Sequence, residues 1–362
     1  FFLYCTLSLI WGHHFSVNFK GWVKFAKDFL VLYLILDTFS EKRPGRFVLA
    51  LLIGAIVASL NGIVQYFHGV DLLRGHIFQN RVNSTFNVAS FFAAYLQLMI
   101  PLTLLYIPSI SPFKKRASFF LFCLLVITLF LTLTRNPIFC LMLVGLPFVL
   151  HAIPKKWVEI TFLSFLIVTT LGFLKVPFFS RAFHIIYAPS SSESVLERVY
   201  LWKIAKSMIS DHPLLGHGLN SYSKVNQSYF PSDRKAMPYA AAYLHQAYPH
   251  NSYLKLWIEI GFIGIALYGM IFCAFFIRLW QRRSLLTPYE KRRVSLLTIS
   301  ILSFLVSSFF AEFLLSSQTR MAFWSIMAIL MIETDRLFSI SSASASEALP
   351  LSEALDSPTV SQ

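Results

Sequence analysis

Phe47-Val48-Leu49-Ala50-Leu51-Leu52-Ile53-Gly54-Ala55-Ile56-Val57-Ala58-Ser59-Leu60-Asn61-Gly62-Ile63-Val64-Gln65-Tyr66-Phe67-His68 contains no Asp, Glu, Lys or Arg. A run of roughly 18–20 such residues is long enough to cross a bilayer. Outward from it, further apolar runs bounded by charge or Pro/Gly clusters lie near 1–12, 22–39, 87–108, 118–134, 136–152, 157–176, 254–279, 294–315 and 320–337. Within lipid each must be a helix, because only a helix satisfies its own backbone inside one segment. The reading is an all-α, polytopic membrane protein of about ten spans. The run at 22–39 is the weakest, since Lys24, Lys27 and Asp28 interrupt it, and it is expected to tilt or to lie partly in the interface.

Composition agrees. The 362 residues are 56% hydrophobic and 13% charged, with a mean hydropathy of +0.63. A soluble domain carries about 25% charged residues, so a soluble enzyme, a nucleic-acid-binding domain and a disordered chain are excluded. The net charge of +14, from 31 Lys+Arg against 17 Asp+Glu, fits the collection of cations in cytoplasmic loops. The blocks Glu41-Lys42-Arg43-Pro44-Gly45-Arg46, Lys114-Lys115-Arg116, Lys155-Lys156 and Arg278 through Arg282, Arg283, Lys291, Arg292 and Arg293 fall on one side if the spans alternate. That side is cytoplasmic. The opposite side receives residues 69–86, the bend at Arg135, the segment 177–253 and the turn before Arg320.

The expected organisation is N-terminal transmembrane helices over 1–176, an outer, periplasmic loop over 177–253, C-terminal transmembrane helices over 254–338 and a disordered cytoplasmic tail over 339–362, rich in Ser, Ala and Glu. Because the chain begins Phe-Phe-Leu-Tyr rather than Met, it is expected to be a fragment lacking its native start. Cys5, Cys123, Cys140 and Cys273 all sit in apolar runs, so neither a disulfide framework nor a zinc site is expected. In the long loop, Ser194 to Ser210 places Val195, Val199, Trp202 and Ile209 near one helical face, which reads as an amphipathic helix on the membrane or over a cavity. Asp211-His212-Pro213-Leu214-Leu215-Gly216-His217-Gly218 then ends it.

Three places invite chemistry. Arg135, in Leu131-Thr132-Leu133-Thr134-Arg135-Asn136-Pro137, lies between two apolar runs with almost no loop. It either snorkels to the headgroups or offers a fixed cation whose fork grips phosphate oxygens. Arg198, one turn before Trp202, either belongs to a solvated face beside Glu193 and Glu197 or is a second such cation. His250-Asn251-Ser252-Tyr253 precedes an apolar run. Its His is either a general base able to take a proton near neutral pH or an exposed neighbour of an N-cap at Asn251 or Ser252. The remaining outer histidines, His184, His212, His217 and His245, do not share a helical face at their spacing and have few carboxylates beside them, so no metal is expected. There is no G-x-S-x-G elbow and no Walker lysine. Energy must then arrive in an activated lipid-soluble substrate or as a gradient.

Taken in order, Arg81-Val82-Asn83-Ser84-Thr85-Phe86, Thr132-Leu133-Thr134-Arg135, Arg198 with Trp202, Asp211 to Gly218, and His250-Asn251-Ser252-Tyr253 with Glu259-Ile260-Gly261 resemble the O-antigen ligase and polymerase superfamily of bacterial envelope glycosyltransferases. The resemblance covers about residues 80–270. It departs at Asn136-Pro137, where the family usually has Gly and a small residue, and in span count, where the family usually has about twelve. It implies transfer of a glycan from a polyprenyl-diphosphate carrier to an acceptor on the periplasmic face of the inner membrane, with no metal, nucleotide or other cofactor. Arg135 and Arg198 would bind the diphosphate and His250 would act as base on the acceptor hydroxyl, with Arg81, Trp202 and Asn251 also contacting substrate. Ligation to lipid A–core in lipopolysaccharide biosynthesis is the first expectation. A polymerase or a protein oligosaccharyltransferase would share the donor chemistry. A transporter of lipid-linked glycans is the alternative of another class, disfavoured because no repeated halves with paired broken helices are seen. The expected partners are the donor, the acceptor and membrane lipids, and no nucleic acid.

Overall fold

The computed structural model describes residues 1–12, 14–39, 44–106, 112–152, 193–230 and 248–347. Among these residues there are ten helices of ten residues or more and no β-strand. They are α1 (Phe2–Trp11), α2 (Phe15–Phe39), α3 (Gly45–His68), α4 (Ala89–Thr103), α5 (Pro112–Leu131), α6 (Arg135–Ala152), α7 (Glu193–Asp211), α8 (Ser252–Arg282), α9 (Pro288–Ser307) and α10 (Ser317–Glu347).

Local signals set the helix ends. α3 stops at Gly69, whose left-handed backbone (φ 79°) lets its N–H reach the Gln65 carbonyl. α9 starts from a capping box in which Thr287 and Glu290 satisfy each other's backbone N–H, with Pro288 in the first turn. α8 starts from Asn251, whose side chain accepts from the N–H groups of Tyr253 and Leu254.

α3 carries an exposed apolar face and buries polar side chains on the other. α3 turns Leu49, Ile53, Val57, Leu60 and Phe67 outward and buries Ser59, Asn61 and Gln65. In water this pattern would expose a continuous apolar stripe while desolvating amides; against lipid it is the favourable arrangement. α4 is apolar on every side and enclosed, with Phe92, Leu96, Leu98 and Met99 fully buried among α3, α5, α9 and α10. The aromatic residues Phe272, Phe304, Phe323 and Trp324 pack together at the α8–α9–α10 contact.

The span count of about ten is not confirmed, and two boundaries are corrected. By length and composition, two of the described helices can cross a membrane, Gly45–His68 and Ser252–Gln281; Phe2–Trp11, Ala89–Thr103 and Arg135–Pro147 are shorter apolar helices. A count of ten spans is therefore not reached among the described residues. One reason is that the helices absorb charges assigned to loops: α5 begins two residues before Lys114, and α9 contains Lys291, Arg292 and Arg293. α9 also ends at Ser307, so residues 308–316 form a turn rather than the end of a span. The expected tail from 339 begins inside a helix, since α10 continues to Glu347. The run 157–176, the blocks at 41–43 and 155–156, His184, His245 and residues 348–362 lie outside the described residues.

The weak span at 22–39 is a 25-residue helix in which Asp28 and Lys24 have partners. Asp28 and Arg320, each 1% exposed, form an ion pair between α2 and α10, with the guanidinium 5.0 Å from the Phe25 ring centroid. Arg320 was expected just beyond an outer turn. It lies in the first turn of α10, and its pairing with Asp28 offsets the cost of its burial.

Candidate active site

The buried amides of α3 organise one end of the bundle. The Gln65 side chain accepts from the N–H groups of Asn83 (3.0 Å) and Ser84 (2.9 Å) and donates to the His76 carbonyl (3.0 Å). The Asn61 side chain accepts from Leu72 N–H at 2.9 Å and donates to Asp71 and Ser84. Asp71 closes the turn after α3 by accepting from the N–H groups of Leu73, Arg74 and His76. Burial raises the Asp71 carboxyl, but these donors outweigh it and hold it below its ordinary value. Residues 70–86 are thus a fixed loop that carries Arg81.

Arg81 reaches the bend between α5 and α6. Its Nε donates to the Thr132 carbonyl (3.0 Å) and its Nη2 to Thr134 Oγ1 (2.6 Å). The bend turns on Leu133, a non-glycine residue at φ 51°, and Arg135 follows as the first residue of α6. Burial and the nearby charge of Arg135 both lower the pKa of Arg81. Two guanidinium groups are therefore held within electrostatic reach of each other, a disposition that favours a multiply charged anion between or beside them.

Asn136, where the family pattern departs, donates from Nδ2 to the Ser307 carbonyl at 2.9 Å. The neighbouring Ser308 carbonyl accepts from Ser252 N–H at 2.9 Å. The end of α9 thereby joins the arginine bend to the start of α8. Ser252 Oγ donates to the Ala311 carbonyl (2.8 Å) and accepts from Leu314 N–H (3.3 Å), which fixes the turn 308–316 beside it. His250 stands just before this junction in a left-handed conformation (φ 49°), with its side chain 39% exposed. Its Nδ1 is 3.7 Å from Glu312 Oε2.

Arg198 is exposed on α7, and Trp202, one turn later, donates from Nε1 to the Pro249 carbonyl at 2.8 Å. The helix bearing Arg198 is thus tied to the residue preceding His250. Asn251 has its side-chain oxygen committed to capping α8 (2.9 and 3.1 Å), so its first role is structural. The face of α7 that packs against protein is not the stripe of Val195, Val199, Trp202 and Ile209 expected on the membrane or over a cavity. Leu201, Ile204, Ala205 and Met208 are buried, the last three against Tyr222 and Ile258, while Val199 and Trp202 are half exposed.

A model of the O-antigen ligase family matches residues 120–269. Over that stretch the chain is similar to the O-antigen ligase family, which supports the resemblance carried by the motifs. Two relatives described as candidate polysaccharide ligases are similar to it: one from Rickettsia typhi, 28% identical over 81 residues (22% of this chain, 19% of the relative), and one from Rickettsia bellii, 34% identical over 77 residues (21% and 18%). The alignments span about a fifth of each relative's length. The match to that family and the outward-facing apolar residues of α3 both support a membrane protein. The region matched by the ligase family holds Arg135, Arg198 and His250, while Arg81 and Glu312 lie outside it.

Within the matched region, the run Asp211 to Gly218 and the Glu259-Ile260-Gly261 run serve as scaffolding for each other. α8 is broken at Gly261 (φ 66°, ψ −177°), which frees backbone groups on both sides of the break. The run Asp211 to Gly218 satisfies them. His217 and Gly218 N–H donate to the Ile258 and Glu259 carbonyls at 2.9 and 2.8 Å, and the Pro213 and Leu214 carbonyls accept from Phe262 and Ile263 N–H at 2.9 and 3.2 Å. Contact is so close that a Cβ on Gly261 would stand 2.1 Å from the Leu214 oxygen. The buried His217 ring is committed through Nε2 to the Met208 carbonyl at 2.9 Å. Its ring also meets His212 edge-on at 4.5 Å, a contact that the five-residue spacing hides because the two sit in a turn rather than a helix. No group of three His, Cys, Asp or Glu among the described residues could hold a metal ion.

Two charged features were missed. Lys255, over the Tyr248 ring at 4.1 Å, pairs with buried Glu259 at 3.9 Å, one turn along α8. An i,i+4 Lys/Glu pair inside an apolar run was signal enough. Glu312 fell inside an expected span, and the rule that singled out Arg135 applied equally to it.

Proposed function

We propose that this protein transfers a glycan from a polyprenyl-diphosphate-linked donor to an acceptor hydroxyl at the periplasmic face of the bacterial inner membrane, and that the transfer is ligation to lipid A–core. The observation that carries the reading is the junction at Ser307 and Ser308, which ties the Arg81–Arg135 bend to the start of α8 beside His250. In this scheme His250 takes the proton of the acceptor hydroxyl, the oxygen attacks the anomeric carbon, and the bond to the diphosphate breaks. Negative charge grows on the departing diphosphate, where fixed guanidinium donors stabilise it most. Arg81 and Arg135 supply that field, and Arg198 approaches from α7. The scheme requires no metal and no nucleotide, because the donor is already activated.

The test uses the purified chain in detergent with an undecaprenyl-diphosphate-linked glycan and lipid A–core. Product should form in the presence of a chelator and without a membrane potential. A requirement for sealed vesicles and a potential would overturn the reading in favour of transport. In a deletion strain, polymerised glycan left on the carrier with none on the core supports ligation, whereas single repeats on the core would make the protein a polymerase.

A further inference from the structure

His250 has one ionisable neighbour that this scheme leaves idle. Glu312 lies in the turn between α9 and α10, its side chain 13% exposed and its Oε2 3.7 Å from His250 Nδ1. Its other oxygen, Oε1, is buried with no hydrogen-bond partner among the described residues. A buried carboxylate oxygen left unmatched is costly, and such groups call for a functional explanation.

We propose that Glu312 is a positioning residue for His250: it holds the imidazole by its Nδ1 edge, keeps the proton on Nδ1 and leaves Nε2 as the lone pair that accepts the acceptor's proton. The inference rests on the reading of His250 as the base. Both residues are fixed to the same anchor. Ser252, two residues after His250, bonds Ser308, Ala311 and Leu314 on either side of Glu312, so the two backbones cannot drift apart without breaking three contacts. The left-handed backbone of His250 is itself a conformation that persists only where the surroundings over-determine it. The 3.7 Å separation exceeds a hydrogen bond. Base-to-orienter contacts in ligand-free sites are commonly long and tighten when substrate binds. During transfer the proton moves from the acceptor oxygen to Nε2, the ring becomes an imidazolium, and the Glu312 carboxylate stabilises that charge without taking the proton itself.

The experiment needs two readouts on the full chain in detergent. With 15N-labelled histidine, the ring signals of His250, assigned by their loss in His250→Gln, should report the Nδ1–H tautomer. In Glu312→Ala the Nε2–H form should take over, and Glu312→Asp should keep Nδ1–H. With the undecaprenyl-diphosphate glycan and lipid A–core, Glu312→Ala should lower kcat roughly tenfold or more, as loss of an orienting carboxylate does. The donor KM should not change, Glu312→Asp should recover most of the rate, and the double variant with His250→Ala should be no slower than His250→Ala alone. Persistence of the Nδ1–H form in a folded Glu312→Ala protein, or a higher donor KM with kcat intact, would overturn the inference. Loss of transfer in His250→Ala with full transfer in Glu312→Ala sinks the Glu312 assignment only. Transfer that survives His250→Ala sinks the base reading and this inference together.

Discussion

Gly261→Ala should loosen the joint between α8 and the run 212–218 and cost a large part of the protein's stability. An alanine at φ 66°, ψ −177° occupies a region open essentially to glycine alone, a strain of about 1–3 kcal/mol. Its Cβ would also meet the Leu214 oxygen at 2.1 Å and the Leu215 nitrogen at 2.5 Å, both backbone atoms that no rotamer change can move away. The loop must withdraw. Withdrawal breaks up to four backbone hydrogen bonds, those of His217, Gly218, Phe262 and Ile263, at about 1 kcal/mol each. The total with all four broken, on the order of 5–7 kcal/mol, is comparable with the whole stability of an ordinary domain, about 5–15 kcal/mol. Hydrogen exchange in detergent reads the effect site by site: the four amides should lose protection together while those of α4 keep theirs. Gly269→Ala, on the same helix where an added Cβ meets nothing within 4 Å, is the control and should be neutral or more stable by up to about 1 kcal/mol. A Gly261→Ala protein with wild-type melting and wild-type protection at those four amides would refute the account of the joint.

Four further outcomes are expected. Arg135→Ala should abolish transfer while the protein inserts and folds, and Arg135→Lys should recover only part of it, because an ammonium cannot make the forked contact; full activity in Arg135→Ala would leave the residue a snorkelling cation. His250→Ala should lose transfer by roughly 10²–10⁴-fold with donor binding retained, the scale of general-base catalysis, and equal loss of donor binding would move His250 into the donor pocket. In a cysteine-free background, an impermeant thiol reagent applied to intact spheroplasts should label Ser228→Cys and spare Lys115→Cys, the reverse pattern inverting the topology. Finally, because the Asp71 carboxyl is held below its ordinary 3.8, its contribution to stability is full above about pH 4 and fades as pH falls through the lowered value; the melting temperature of the wild type should drop more steeply between pH 5 and 3 than that of Asp71→Asn, as checked by scanning thermal unfolding.

Much of the helical pattern was legible because apolar runs are long-range averages. The runs at 47–68 and 254–279 reappear as α3 and α8 with ends shifted by no more than three residues. What failed depended on partners distant in sequence. The packing face of α7 is decided by Tyr222 and Ile258, which no helical wheel contains. The charges within α2 read as a defect until Arg320, nearly three hundred residues away, supplies the counter-ion for Asp28. At the site, the same rule of thumb about charges in apolar surroundings found Arg135 but passed over Glu312, because a span drawn to 315 absorbed the turn that carries it.

The division between scaffold and chemistry follows from the bilayer. Broken backbone at membrane depth is tolerated only where protein re-satisfies it, and at Gly261 a loop of eight residues does so with two donors and two acceptors. That demand gives the run Asp211 to Gly218 and the Glu259-Ile260-Gly261 run a structural role, each supplying the backbone groups that the other leaves open. The residues proposed for chemistry sit instead where regular structure stops: Arg81 in a loop, Arg135 after a left-handed Leu133, His250 before a cap and Glu312 in a turn. Each lies close to a side chain that bonds a neighbouring element, so their relative placement depends on Gln65, Asn136, Trp202 and Ser252. Substitutions at those four positions should therefore disturb transfer without touching a reacting atom, and they should do so most at Ser252, where three contacts converge.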